Sequence, residues 1–395
     1  MTEHQRDPAQ PILEKAQALV DDMFDVVAAW KKANPGGLAV GHMPIYTPRV
    51  ILEAIGILPV AIFGGGDQVD IIRGDSYFQS YICQIPRSTI ELGLLGRYDV
   101  LDGMIFPSIC DVIRNLGGMW TLLFKDKYSA YLDLPQNFNK SIGGKFYASE
   151  LRRIATELGV RGAKPLTNEG LATALLNENA RRAAMASLDK LRMDEPWKVA
   201  GSEAYLIARA GSAIMAKEHT ALINDFVAAA KARQTRPVDN VRVVLRGAFC
   251  EQPPIALIRS LEKAGCDIVD DDFQLGMRTI EGPIVTPENG ELLVAIANAF
   301  LTQGRHCASR YIDEDEKGLD VVKRVREVGA DGVIFAAASF CDPALLDQPM
   351  IEAALTRAKI PFTSFKFSEN TGQFQVIREQ AGAFSDAVKL WGSEA

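Results

Sequence analysis

Asp102-Gly-Met-Ile-Phe-Pro-Ser-Ile-Cys-Asp111 is echoed far downstream by Asp331-Gly-Val-Ile-Phe-Ala-Ala-Ala-Ser-Phe-Cys-Asp342. In both, an Asp-Gly turn enters a short apolar run, the pattern of a strand buried on both faces of a parallel sheet. A Cys-Asp pair then follows in the loop beyond the carboxyl end. Upstream of the first copy, Leu38–His42 reads as a strand and Tyr46-Thr47-Pro48 as a turn. Thr47 is expected to cap a short helix, Arg49–Ala54, with Pro48 at its first position. Pro59–Phe63 reads as the next strand, ending in Gly64-Gly65-Gly66. Upstream of the second copy the order returns: strand Val241–Leu245, turn at Pro253-Pro254, helix Ile255–Ala264, strand Asp267–Asp270. Two β-α-β units of this kind predict an α/β fold with two flavodoxin/Rossmann-like parallel-sheet halves.

The stretch from about Ala148 to Gln234 is rich in Ala, Leu, Glu, Lys and Arg and reads as helical throughout, Leu171–Leu191 and Glu203–Lys231 most plainly. Near the start, Leu13, Ala16, Leu19, Val20, Met23, Phe24, Val27 and Trp30 recur at helical steps until Pro35-Gly36-Gly37 stops the run. The expected organisation is an N-terminal helix at 1–35, a first α/β domain at 36–150, a helical segment at 151–240 and a second α/β domain at 241–395.

The 395 residues are 48% hydrophobic and 24% charged, ordinary composition for a globular chain too long for a single core. A net charge of −7 argues against nucleic acid as a partner, although it leaves room for a local basic patch that binds phosphate groups. Residues 1–11 are polar and lack a secretory apolar segment, and no run is long enough to span a bilayer. A cytoplasmic protein with no membrane association is expected.

Cysteines stand at 83, 110, 250, 266, 307 and 341, with no C-x-x-C pair, so neither a disulfide framework nor a zinc ribbon is indicated. Ligands of open α/β sheets bind at the carboxyl ends of strands. Two halves facing one another would bring Cys110 and Cys341 to one cleft. Cys83 precedes a helix with Pro86 in its first turn, where partial positive charge favours a thiolate. Three thiolates from two halves suit a soft metal centre. With three thiolates on a four-iron cube, one iron would keep an exchangeable position. Any one of the six taken singly is ordinarily a small core hydrophobe. Cys266 reads as core, Cys250 as loop or ligand, and Cys307 as surface or neighbour of an anion site.

Arg87 and Arg114 each follow a cysteine by four residues, about one helical turn. Each could face its own cysteine, or form a salt bridge with Glu91 or Asp111. Asp111 and Asp342 also suit helix N-caps. Tyr81, Asn115 and Glu369 are further polar residues near the cysteines. The four histidines, His4, His42, His219 and His306, share no metal-ligand spacing, and His42 alone is placed near a cleft.

Gly74-Asp-Ser-Tyr-Phe-Gln-Ser-Tyr-Ile-Cys83-Gln-Ile-Pro-Arg-Ser-Thr-Ile-Glu-Leu92 and Leu101–Leu116, supported by Phe340-Cys341-Asp342-Pro343 and Glu369-Asn-Thr-Gly-Gln373, resemble a known family. It comprises 2-hydroxyacyl-CoA dehydratase components and the iron–sulfur subunits of ATP-dependent benzoyl-CoA reductase, and the similarity is greatest to the reductase's C-type (gamma) chains. It runs from about residue 36 to the C-terminus. The resemblance implies a 4Fe-4S cluster held by Cys83, Cys110 and Cys341 between two flavodoxin-like halves. It also implies a homologous cluster-bearing partner subunit, ATP-hydrolysing activator subunits, reduced ferredoxin as upstream donor and an acyl-CoA substrate. The implied activity is reduction of the aromatic ring of benzoyl-CoA to a cyclohexadiene-carbonyl-CoA by low-potential single electrons. The alternatives it leaves are ketyl-radical dehydration of a 2-hydroxyacyl-CoA, a double-cubane reductase acting on small molecules, or an electron-relay subunit that does not touch substrate. It assigns no catalytic acid or base. The chain has no G-x-x-x-x-G-K-[ST] loop and no G-x-G-x-x-G, which fits ATP hydrolysis elsewhere.

Overall fold

The computed structural model describes residues 7–65, 69–247, 250, 253–273, 279–286, 291–308, 316–368 and 374–391. Helices α1 (Gln10–Asp21) and α2 (Met23–Ala33) open the chain. The first half follows as β1 (Ala39–His42), α3 (Arg49–Ala54), β2 (Leu58–Ala61), α4 (Gln84–Leu94), β3 (Gly103–Pro107), α5 (Asp111–Leu123) and β4 (Tyr128–Leu132). A helical block comprises α6 (Lys145–Val160), α7 (Asn168–Asp194), α8 (Gly201–Ala210) and α9 (Ala216–Lys231). The second half runs β5 (Val241–Arg246), α10 (Ile255–Lys263), β6 (Cys266–Asp271), α11 (Leu292–Thr302), α12 (Leu319–Glu327), β7 (Gly332–Ala338), α13 (Asp342–Arg357), β8 (Phe362–Phe367) and α14 (Phe374–Trp391).

Each half holds one four-stranded parallel sheet, in the orders β2-β1-β3-β4 and β6-β5-β7-β8. The two orders are the same winding. Each has its switch point between the first and third strands of its half, where the chain reverses direction across the sheet. The strands β1, β2, β3 and β7 are buried at every residue, as their unbroken apolar runs require. The expected α/β architecture of two parallel-sheet halves is what the molecule shows. Among the described residues, no helix is long and apolar enough to cross a membrane.

Local details depart from the sequence reading. The N-terminal run is two helices, broken at Asp22, whose carboxylate accepts the Asp25 N–H and caps α2. Pro48, not Thr47, occupies the N-cap of α3, and Thr47 is buried without capping it. The run Glu203–Lys231 is interrupted after α8. There the Arg49 guanidinium takes the carbonyls of Gly211 and Ile214, each at 2.6 Å, so the break is stabilised from another element. β4 alternates buried and half-buried residues and β8 is mostly half-buried or exposed, which is why neither edge strand shows an unbroken apolar run.

Candidate functional site

Cys83, Cys110 and Cys341 share one structural position. Each is the residue immediately before a helix, the N-cap of α4, α5 and α13 respectively. Asp111 and Asp342 are therefore first helical residues rather than caps. The geometry follows from the strands: Cys110 leaves the carboxyl end of β3 and Cys341 that of β7, the third strand of each half, beside the two switch points. Before Cys341, Phe340 adopts a left-handed backbone with φ 65°, which turns the chain from β7 into α13 and leaves the ring half-exposed.

The halves meet electrostatically at Cys110. Burial pushes its thiol up, N–H groups of Ile113 and Val112 pull it down, and the carboxylates of Asp111 and Asp342 push it up again. Asp342, from the second half, thus lies close enough to Cys110 to act on it. α4, which carries Cys83, packs on α5, which carries Cys110. Contact thus joins α4 to α5, and the charge of Asp342 reaches Cys110 from the start of α13. Cys341 is buried, whereas Cys83 and Cys110 are partly exposed.

The turn before Cys83 is held by Glu91. Its carboxylate accepts N–H bonds from Ile72, Arg73 and Gly74 at 2.9, 2.6 and 2.7 Å. Burial alone would raise this carboxyl, but the bonds from Gly74, Ile72 and Arg73 hold it below its ordinary range. Gly74 passes so near α4 that a Cβ there would collide with the Arg87 carbonyl oxygen. Arg87 pairs with Asp75 at 2.8 Å, not with Glu91. Arg114 lies over the Tyr131 ring at 5.6 Å, not in a salt bridge with Asp111. The clamp from Glu91 has no signature in sequence, because three consecutive backbone donors carry no residue code.

Among the described residues, no group of three His, Cys, Asp or Glu side chains is gathered as around a single metal ion. A cubane binds each thiolate at a different iron, so its ligands stand wider apart than those of one ion. Cysteines at three helix starts, with N–H groups directed at the Cys110 sulfur, are donors of the soft kind that an iron–sulfur group takes.

The other cysteines separate from this group. Cys266 is fully buried at the head of β6, its thiol pushed up to about 12 by burial. Cys250 is buried. Cys307 is buried rather than on the surface, its sulfur touching the Tyr46 hydroxyl across the two halves. It borders a cleft of about 630 Å3 whose Arg246, Arg305 and Arg324 are paired with Asp320, Glu281 and Asp270, so no spare cationic patch for CoA stands out there. His42, expected near a cleft, is fully buried. Its Nδ1 donates to the Met43 carbonyl at 2.8 Å, and burial followed by the charge of Arg49 pushes it down to about 3. Tyr81 is exposed just before Cys83. His4, Gly66, Glu369 and the segment to Gln373 lie outside the described residues.

A sequence model of the family described as 2-hydroxyglutaryl-CoA dehydratase, D-component, matches residues 44–388. The chain belongs to this family. It is 45% identical to the C subunit of the benzoyl-CoA reductase of Thauera aromatica, over 96% of this chain and 98% of that protein. It is 26% identical to the (R)-phenyllactyl-CoA dehydratase beta subunit of Clostridium sporogenes, over 95% of this chain and all of that protein. Lactoyl-CoA dehydratase subunit beta of Anaerotignum propionicum is likewise 26% identical over 95% of this chain. The relatives are subunits of multi-chain enzymes, and the family match takes in β2, β3 and β4 of the first sheet and the whole of the second.

Proposed function

We propose that this chain is the C-type iron–sulfur subunit of a benzoyl-CoA reductase, an oxidoreductase acting on a CoA thioester. The observation that carries the reading is 45% identity to such a subunit along nearly the whole of both chains. The three helix-start cysteines support it. In this reading Cys83, Cys110 and Cys341 would hold a 4Fe-4S cluster, which when bound supplies low-potential one-electron transfer.

The chain's own residues prepare that site. The Cys110 thiol, pushed up chiefly by desolvation, gives up its proton when a metal binds, so metal loading releases protons and depends on pH. N–H groups of Val112 and Ile113 then favour the sulfur's negative charge, while Asp111 and Asp342 oppose further negative charge. Glu91 fixes the turn ahead of Cys83, and buried Cys341 anchors the second half. The ring-reducing step would use a homologous cluster-bearing partner, ATP-hydrolysing activator subunits and reduced ferredoxin in the cytoplasm. This subunit relays electrons, and the partner lies nearer the thioester.

A second reading, a subunit of a 2-hydroxyacyl-CoA dehydratase, is favoured by the family match and by the full-length 26% relatives. The anaerobically purified complex, offered benzoyl-CoA and a 2-hydroxyacyl-CoA in competition with ATP and a low-potential donor, separates them. ATP-dependent loss of aromatic absorbance supports the reductase; turnover of the hydroxyacyl thioester alone replaces it with the dehydratase. Protein free of iron and labile sulfide would sink both.

A further inference from the structure

Where the first half, the helical block and the second half meet, a cavity of about 20 Å3 is bordered by Thr47, Arg49, Glu178 and Arg182, with Ile280 and Phe300 on its apolar side. Thr47 and Arg49 are each 4% exposed, and the Arg182 side chain 10%. Yet Thr47 Oγ1, Arg49 Nε and Arg182 Nε have no hydrogen-bond partner among the described residues; Glu178 Oε2 has none either, but it is ion-paired with Arg181 Nη2 at 2.6 Å. Next in sequence, fully buried Arg181 donates through Nη2 to Glu178 at 2.6 Å, while its Nε and Nη1 have no partner among the described residues. Each buried donor left unmet is a net cost to folding. Several in one place imply an occupant.

Charge decides its class. Among the described residues, three guanidinium groups (Arg49, Arg181 and Arg182) stand against two carboxyl groups, Glu53 and Glu178. Glu178 is ionised: burial opposes this, but Arg181 and Arg182 hold its carboxyl at about 2. Burial raises the Glu53 carboxyl, against the opposing charge of Arg49. The neighbouring His42 and His219 are neutral, each giving its one ring N–H to a backbone carbonyl at 2.8 and 2.9 Å. The cluster therefore carries surplus positive charge with no solvent to screen it. Water would satisfy donors but leave that surplus in place.

We propose that the cavity binds one monoatomic anion of the halide class, chloride in the cell, held by the Thr47 hydroxyl and the guanidinium groups of Arg49 and Arg182. The space suits a single particle of about the size of water. The anion touches all three regions of the molecule, through Thr47 and Arg49, through α7, and through Ile280. It therefore stabilises the folded chain by mass action. The inference stands apart from the iron–sulfur reading.

Crystals of the purified complex soaked in sodium bromide, with diffraction recorded at the bromine edge, test it. The expected result is an anomalous peak in contact with Arg49 and Arg182, absent in the Arg182→Gln variant. The melting temperature of the unmodified complex should also be higher in chloride than in gluconate at equal ionic strength. Density at the cavity that remains water-like in bromide overturns the proposal, and this readout does not depend on the variant folding.

Discussion

The Cys110 thiol, at the start of α5 in the first half, feels the carboxylate of Asp342, at the start of α13 in the second. The same helix end that presents Cys341 thus bears on Cys110. Replacing Cys110 with Ser or Ala should remove most of the iron and labile sulfide and lower electron transfer by orders of magnitude. Iron content and low-temperature paramagnetic resonance of the purified complex check this. Full iron and full activity in Cys110→Ala would rule the ligand assignment out.

Asp342→Asn takes away one negative charge without changing the shape of the α13 start. A centre held at Cys110 should then accept an electron more easily, moving its midpoint potential in the positive direction while iron content is retained. A redox titration followed spectroscopically measures the shift. An unchanged potential would mean that the Asp342 charge is screened from the centre.

Glu91→Gln keeps the size of the clamp but gives up its charge, and Glu91→Ala removes all three N–H bonds. The alanine variant should lose about 1–3 kcal/mol in stability. Amide exchange at Ile72, Arg73 and Gly74 should speed up, with partial loss of iron through the loosened Cys83. Unchanged exchange at these amides would remove the clamp from the account of the site.

His42 and His219 are both held neutral, burial being the main cause and the charges of Arg49 and Arg181 adding to it, and both are pushed down to about 3 from an ordinary 6.5. The unfolded chain takes up protons below pH 6.5 that the folded chain refuses until pH 3. Stability should therefore be complete above pH 6.5 and fall steadily as the pH drops through that window. Denaturant midpoints between pH 7.5 and 4.5 test it, and His219→Gln should flatten the slope.

The duplicated strand-turn-helix pattern was legible because fully buried parallel strands leave unbroken apolar runs, as at Gly103–Pro107 and Gly332–Ala338. The edge strands Tyr128–Leu132 and Phe362–Phe367 were not, since a half-solvated strand mixes polar residues into its run. Placement of Cys110 and Cys341 beyond the third strand of each half followed from the echo around them. The partners of Arg87 and Arg114 did not. Spacing along a helix names neighbours on that helix, whereas Asp75 and Tyr131 come from other elements. The Glu91 clamp and the Tyr46–Cys307 contact depend on backbone donors and on chain segments far apart, which no local pattern records.

α7 runs for 27 residues, about 40 Å, and packs on α3 of the first half as well as on β6 of the second. It behaves as a beam to which both sheet-bearing halves are fastened. Transfer of an electron is fast when the donor's surroundings need little rearrangement between its two charge states. In the reading proposed above, a helix tied to both halves would keep that rearrangement small.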